Sequence, residues 1–185
     1  IANVYSAGNE GPGNTTIGQP QYVSTGLVNT FTVGAVNGAN PAFPITGFSS
    51  EGPTICNVPA GPLKIKPEVV APGLNVRSSV EDNNYASYSG TSMAGPHATG
   101  AVLLLKEAFP NVSGEEILLA LYNSATDLGV AGEDNIYGKG MIDVLAAFNE
   151  LALTHTPTPP NQYTYDVTIN NITDNIIDVN HFPIN

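Results

Sequence analysis

The chain has 185 residues, of which 42% are hydrophobic, with 19 Gly and 15 Pro, and this suits one domain, or one domain with part of another, rich in turns. Sixteen acidic against five basic residues give a net charge of −11, which repels nucleic acid and anionic membrane surfaces and makes nucleic-acid binding the least favoured function. A single cysteine, Cys56, excludes an internal disulfide and is interpreted as a loop or packing residue. No signal peptide or membrane span is visible.

The first segment, residues 1–8, is predicted to be a short buried strand that ends in the small residues Ser6-Ala-Gly-Asn-Glu-Gly11. Ligands of parallel sheets gather at the carboxyl ends of the strands, and Asn9 lies at such an end. Taken alone, an Asn in so glycine-rich a string is most often a turn former.

Three further strands are predicted downstream, at residues 29–36, 66–73 and 74–80. The first of them is β-branched and continuously apolar, as a strand covered by helices should be. Residues 54–63 are rich in Pro and Gly and are expected to form a loop. The turn Glu81-Asp-Asn-Asn84 could ligate structural Ca²⁺, but a solvated turn is the commoner outcome because such sites need six or more oxygens.

The stretch Tyr88-Ser-Gly-Thr-Ser-Met-Ala-Gly-Pro-His97 joins a tight turn to a helix. No residue from Met93 to Leu105 is charged, which predicts a helix that begins at Thr91 or Ser92 and is buried throughout. Unpaired N–H groups in its first turn favour a developing anion, so Ser92 is a candidate nucleophile. On the local pattern alone, however, a serine at this place is more often a helix N-cap.

His97 is an improbable partner for Ser92. Five residues along a helix rotate a side chain by about 140°, so these two side chains do not share a face.

Two more helices follow. Ser113-Gly-Glu-Glu116 is a capping box ahead of a helix at 117–124, and a third helix is predicted at 141–151 with Asp143 near its N-terminus. Residues 154–162 form a stiff Pro/Thr linker, and residues 163–185 are a β-strand tail, too short for an independent domain.

Several of these strings resemble one family. Gly90-Thr-Ser-Met-Ala-Gly-Pro-His97 closely resembles the nucleophile motif of the subtilisin-like serine proteases, and Ala7-Gly-Asn-Glu-Gly11 resembles their oxyanion-hole motif, in the family's order. Tyr137-Gly-Lys-Gly-x-x-Asp143 is similar to the segment that closes their catalytic domain. The resemblance implies an α/β fold, with residues 1–153 forming the C-terminal half of a parallel-sheet, three-layer peptidase domain.

The resemblance also implies roles for residues. Ser92 would be the acyl-accepting nucleophile, and Asn9 would donate its side-chain N–H to the oxyanion together with the Ser92 backbone N–H. The substrate-binding residues implied are Thr91, the pocket wall Ala7 and Gly8, and a pocket floor at Gly18 in Thr16-Ile-Gly-Gln-Pro20, with a cis Gln19-Pro20 bond. Polypeptide substrates, no catalytic cofactor or metal, and an extracellular or cell-surface location follow as expectations.

Two parts of that catalytic machinery lack a match here. The family's Asp-(Ser/Thr)-Gly and His-Gly-(Thr/Ser) motifs do not occur, since none of His97, His155 and His181 is followed by glycine. We therefore expect a fragment that is inactive by itself and whose exposed sheet edge pairs with a missing N-terminal half or another copy. The alternatives are an inactive binding or structural module and an unrelated serine hydrolase with His155 or His181 as base.

Overall fold

A three-stranded parallel sheet organises the fold. A computed structural model of the chain describes residues 1–158, in which β1 (Val4–Ser6), β2 (Phe31–Val36) and β3 (Val69–Pro72) lie in the order β1-β2-β3. Val4 pairs with Phe31 and Val33 with Val69, in parallel register. Every residue of β2 is buried, because apolar side chains occupy both of its faces. The predicted parallel α/β fold is confirmed.

Within residues 1–158, three α-helices accompany the sheet: α1 (Thr91–Ala108), α2 (Gly114–Asn123) and α3 (Val144–Ala152). Helix α1 packs across all three strands, and α2 and α3 pack on each other and on α1. The core therefore lies between one face of α1, with Ala94, Ala98 and Leu105, and the strands beneath it.

Helix α1 begins at Thr91, as predicted, but the prediction that it is buried throughout is wrong. The side chains of Leu103 and Leu104 are 65% and 60% exposed. In the described part of the chain the sheet covers one side of the helix, and a helical stripe on the other side faces solvent. This stripe, the open α1 face, consists of Pro96, His97, Gly100, Leu103 and Leu104.

A strand that the sequence did not predict lies just before α1. Strands β4 (Val76–Val80) and β5 (Asn84–Tyr88) form an antiparallel hairpin. Asp82 and Asn83 adopt the left-handed conformation, with φ of 60° and 54°, which reverses the chain between the strands. Most of the hairpin is exposed, so β5 carries no apolar pattern that would have revealed it.

The later elements follow the sequence more closely. Ser113 and Glu116 make both bonds of the predicted capping box. Helix α3 begins at Val144 rather than Met141, because Met141 pairs with Val70 of β3. Asp143 is the N-cap of α3.

The predicted linker starts close to the domain, since the Thr158 N–H donates to the Ala108 carbonyl at 2.7 Å. The predicted strand tail, residues 163–185, lies outside the described residues. None of the helices within residues 1–158 combines the length and apolarity needed to cross a bilayer.

Candidate active site

Ser92 is the second residue of α1 and its side chain is exposed. The helix N-cap is Gly90, with φ 156°, which has no side chain to make a capping bond. The interpretation of Ser92 as a capping residue is therefore wrong. Within residues 1–158 neither the Ser92 hydroxyl nor the Ser92 backbone N–H has a hydrogen-bond partner. Both groups lie at the N-terminal, positive end of the helix dipole.

Asn9 lies beside this helix end, brought there by the loop that follows β1. The Thr91 N–H donates to Asn9 Oδ1 at 2.9 Å. The Thr91 hydroxyl accepts the Gly8 N–H at 3.1 Å and lies 3.1 Å from Asn9 Oδ1. The amide oxygen of Asn9 is thus fixed by Thr91, the residue next to Ser92, across 82 positions of sequence. Its Nδ2 group has no partner in the described part of the chain.

A hollow of about 330 Å³ opens beside the Ser92 side chain, between α1 and the β4–β5 hairpin. His97 borders the same hollow, yet its Nδ1 contacts the Met93 carbonyl oxygen at 2.9 Å and no hydrogen bond joins it to Ser92. The hollow is lined by Val76, Arg77, Ser78, Ser92, Met93, Pro96 and His97.

His155 lies at the other end of α1. It borders a second hollow with Phe109 and Val112 and contacts Glu116 at 3.6 Å. The 18 residues of α1 separate it from Ser92 by about 25 Å at 1.5 Å per residue. An unrelated hydrolase that uses His155 as base is therefore excluded by the geometry, and His181 lies outside the described residues.

The predicted pocket wall follows β1 directly. Ala7 is fully buried and its N–H donates to the Val33 carbonyl at 3.0 Å. Gly8 has φ 107°, and a Cβ there would come within 2.4 Å of Glu10 Oε2 and 2.8 Å of Ser50 Oγ. Only glycine fits this position without displacing those groups.

The predicted pocket floor, Gly18, lies on an exposed loop. The Gln19-Pro20 bond is cis, as predicted, and a Cβ at Gly18 would meet nothing within 4 Å. The Gly8 carbonyl accepts from the Ser50 N–H at 3.0 Å and the Thr16 N–H donates to the Glu51 carbonyl at 3.0 Å. Ser50 and Glu51, which are neighbours in the sequence, therefore hold the loops of Gly8 and Gly18 side by side.

A buried ion pair beneath these loops was missed by sequence reasoning. Lys66 is 0% exposed and its ammonium bonds to Glu68, which is 4% exposed. Burial lowers the pKa of Lys66 and raises the pKa of Glu68 to about 7, against the attraction within the pair. The one sequence signal for this pair was that two charged residues flank a proline at the start of an apolar strand. The signal is weak, because lysine is rarely buried.

Metal ligands offer no further site in the region that the structure covers. Residues 1–158 hold no group of three or more His, Cys, Asp or Glu side chains placed to bind a metal ion. The prediction for the Glu81–Asn84 turn, a solvated turn with a structural Ca²⁺ site as the less common alternative, stays a prediction.

Comparisons with known proteins agree with the resemblance. The sequence model of the Subtilase family (Peptidase_S8) matches residues 1–140. The chain is 37% identical over 145 residues to a subtilisin of Bacillus pumilus, covering 77% of this chain and 44% of that protein. It is 36% identical over 149 residues to subtilisin DY of Bacillus licheniformis, covering 80% of this chain and 46% of the relative.

A solved structure, the S41 psychrophilic protease, superposes with a TM-score of 0.63 at 31% identity, covering 75% of this chain and 47% of that one. The chain belongs to the subtilase family of serine proteases. It spans less than half the length of the curated subtilisins cited above.

Proposed function

We propose that this chain is the nucleophile-bearing half of a subtilisin-type serine endopeptidase that hydrolyses polypeptides outside the cell. The observation that carries the proposal is the fixed Asn9 amide beside Ser92. Thr91 holds Asn9 Oδ1 at 2.9 Å, which leaves Nδ2 to donate, and the Ser92 N–H lies one residue further along the same helix end. Two N–H donors without partners within residues 1–158, at the helix end that carries a free hydroxyl, suit an acyl-transfer site.

The chemistry follows from these positions. The Ser92 Oγ attacks the carbonyl carbon of the scissile peptide bond, and the carbonyl oxygen gains negative charge. Asn9 Nδ2 and the Ser92 N–H stabilise that charge, since they need no reorientation at the moment of reaction. The attack also requires a base that takes the serine proton and later passes it to the leaving amine, and a carboxylate that orients the base.

We assign that base and carboxylate to an upstream segment of the same protein. No histidine within residues 1–158 is hydrogen-bonded to Ser92. The side of β1 opposite β2 pairs with no strand in the described part of the chain, and the open α1 face exposes two leucines. A further strand and helix from the upstream segment would cover both surfaces.

A fluorophosphonate probe tests the assignment, since it reacts with an activated serine hydroxyl whatever the natural substrate. We expect the longer chain, with its upstream segment, to be labelled at Ser92 and the 185-residue chain to be labelled far more slowly. Ser92→Ala should abolish labelling, whereas Ser89→Ala, a matched change in the preceding turn, should retain it.

Labelling of the longer chain that survives Ser92→Ala would exclude Ser92 as the nucleophile. Absence of labelling in the unmodified longer chain would favour the alternative, an inactive subtilisin-like binding or structural module.

A further inference from the structure

The ammonium of Lys66 lies inside a closed shell of oxygens just ahead of β3. Lys66 Nζ is 2.7 Å from the Thr30 carbonyl oxygen, 3.3 Å from Thr30 Oγ1 and 3.4 Å from Thr32 Oγ1, and it also bonds to Glu68 Oε1. An ammonium has three protons and no acceptor, so all of its donors are directed at this shell. The three surrounding residues are buried as well.

The hydroxyls of Thr30 and Thr32 connect the ammonium to groups further from it. A hydroxyl that accepts a bond from the ammonium has its own proton free for another acceptor. Thr30 Oγ1 donates to the Val23 carbonyl, and the Thr32 hydroxyl lies between two acceptors, the Thr30 carbonyl oxygen at 3.1 Å and the Gln21 carbonyl oxygen at 3.2 Å. The positive charge at Lys66 therefore sets the direction of the bond from Thr30 to Val23 and holds the Thr32 hydroxyl beside Gln21.

Residues 18–23, here the Gly18 turn, are closed by bonds at the same place. The Tyr22 N–H donates to the Gly18 carbonyl at 2.9 Å, and the Val23 N–H donates to the Pro20 carbonyl at 3.0 Å. Hydrogen bonds and the short stretch of backbone between them thus connect Lys66 Nζ to Gly18.

Glu68 fixes the other side of the shell. Its Oε2 accepts the Thr32 N–H at 2.7 Å, while the Glu68 N–H donates to the Thr32 carbonyl at 3.0 Å. Replacing a buried ion pair by apolar residues is often neutral or stabilising, so overall stability alone does not explain this pair. Its hydrogen bonds to Thr30 and Thr32, whose hydroxyls lie against the Gly18 turn, do.

We propose that Lys66 is a positioning residue for substrate recognition: its buried ammonium, through Thr30 and Thr32, fixes the Gly18 turn and so the shape of the pocket for the substrate side chain. The recognition part rests on the proposed function. The hold of Lys66, Thr30 and Thr32 on the Gly18 turn, here called the clamp, does not depend on catalysis.

Hydrogen exchange of the Tyr22 and Val23 amides in the 185-residue chain tests the clamp. Lys66→Met keeps most of the side-chain volume, and the double variant K66M/E68Q also removes the unpaired carboxylate while keeping an acceptor for Thr32. In both variants we expect these two amides to exchange at least about tenfold faster, since bonds to charged groups are the stronger ones. Exchange of the Leu105 amide in the core of α1 should stay within about twofold in the double variant, because a neutralised pair retains the fold.

Lys64→Met is the matched control. Lys64 Nζ donates to the Cys56 carbonyl at 2.9 Å in the neighbouring loop and makes no hydrogen bond to Thr30, Thr32 or residues 18–23. Unchanged exchange at Tyr22 and Val23 in K66M/E68Q would overturn the proposal. So would an equal acceleration at Leu105, which would make the pair a support of general stability alone.

The recognition part is tested in the longer chain with two peptides that differ only in the side chain preceding the cleaved bond. K66M/E68Q should raise KM for the large side chain about tenfold, with kcat for the small side chain and fluorophosphonate labelling of Ser92 within about twofold. A fall in kcat for both peptides with unchanged KM would contradict it. If the unmodified longer chain is not labelled at all, the proposed function fails, and the exchange experiment still decides the clamp.

Discussion

Asn9 is an amide whose two ends have different surroundings. Its oxygen receives the Thr91 N–H at 2.9 Å and lies 3.1 Å from the Thr91 hydroxyl, and its nitrogen has no partner within residues 1–158. The orientation is therefore set before any substrate binds. Such preorganised donors stabilise charge that develops in a transition state without further rearrangement.

Removal of the Asn9 side-chain donor is expected to act on turnover. In subtilisin, loss of the corresponding donor lowers kcat by about 10²–10³, and we expect Asn9→Ala in the longer chain to show the same order with KM little changed. Steady-state hydrolysis of a peptide measures both constants. Asn14→Ala, on the exposed loop that follows, is the matched control. A raised KM with unchanged kcat would instead place Asn9 in ordinary substrate binding.

Gly18 should tolerate a side chain structurally but not functionally. Because a Cβ there meets nothing within 4 Å, Gly18→Val is expected to leave the unfolding temperature nearly unchanged. In the longer chain it should lower kcat/KM at least about tenfold for a substrate with a large side chain before the cleaved bond, since the added branches fill the pocket. Gly26→Val, which also meets open space, should leave both quantities unchanged. Equal loss for large and small substrates would show that Gly18 is not in the pocket.

At the scale of elements, sequence reasoning succeeded where the information is local. The capping box at Ser113 and the start of α1 at Thr91 are contiguous strings, and the structure confirms both. Strand β5 was missed because its five mostly exposed residues show no regular apolar alternation. The exposure of Leu103 could not be predicted, since an apolar helix looks the same whether or not its covering layer belongs to the chain. The buried Lys66 depends on contacts 34 and 36 residues away.

The first turn of α2 gives a pH dependence with a definite sign. Hydrogen bonds from the Ser113 hydroxyl and backbone N–H lower the pKa of Glu116 below its usual 4.5. The folded state then binds fewer protons than the unfolded state, so the contribution of Glu116 is fully present above about pH 4.5 and is lost as the pH falls through the lower, folded-state pKa. Between pH 6 and pH 3, the unfolding temperature of Glu116→Gln should fall less than that of the unmodified chain.

Glu115→Gln is the matched control, because Glu115 occupies the same helical turn outside the box. The unfolding temperature of Glu115→Gln should fall with decreasing pH as that of the unmodified chain does. An identical fall in Glu116→Gln would contradict the role of the box. Ser113→Ala should lower the free energy of unfolding by about 1 kcal/mol at neutral pH, the usual effect of removing an N-cap.

At the scale of the whole molecule, two surfaces lack a covering layer within residues 1–158. One is the edge of β1, whose backbone donors and acceptors can pair with another strand. The other is the open α1 face, where two large apolar side chains are exposed next to each other. The net charge of −11 opposes self-association. The proposed upstream half would satisfy both surfaces within one molecule.

Assembly of the two halves from separate chains should therefore depend on Leu103 and Leu104. Replacing both by Gln removes about 2 to 3 kcal/mol of apolar burial on assembly, or roughly a hundredfold in affinity, judged from their exposed area. The variant alone should unfold at an unchanged temperature, since these side chains are already 65% and 60% exposed. Titration of the upstream half, followed by fluorophosphonate labelling of Ser92, measures the affinity. Leu153→Gln, at a position 84% exposed beyond α3, controls for general loss of apolar surface. Assembly of the double variant at the same concentration as the unmodified chain would mean that the upstream half does not cover α1.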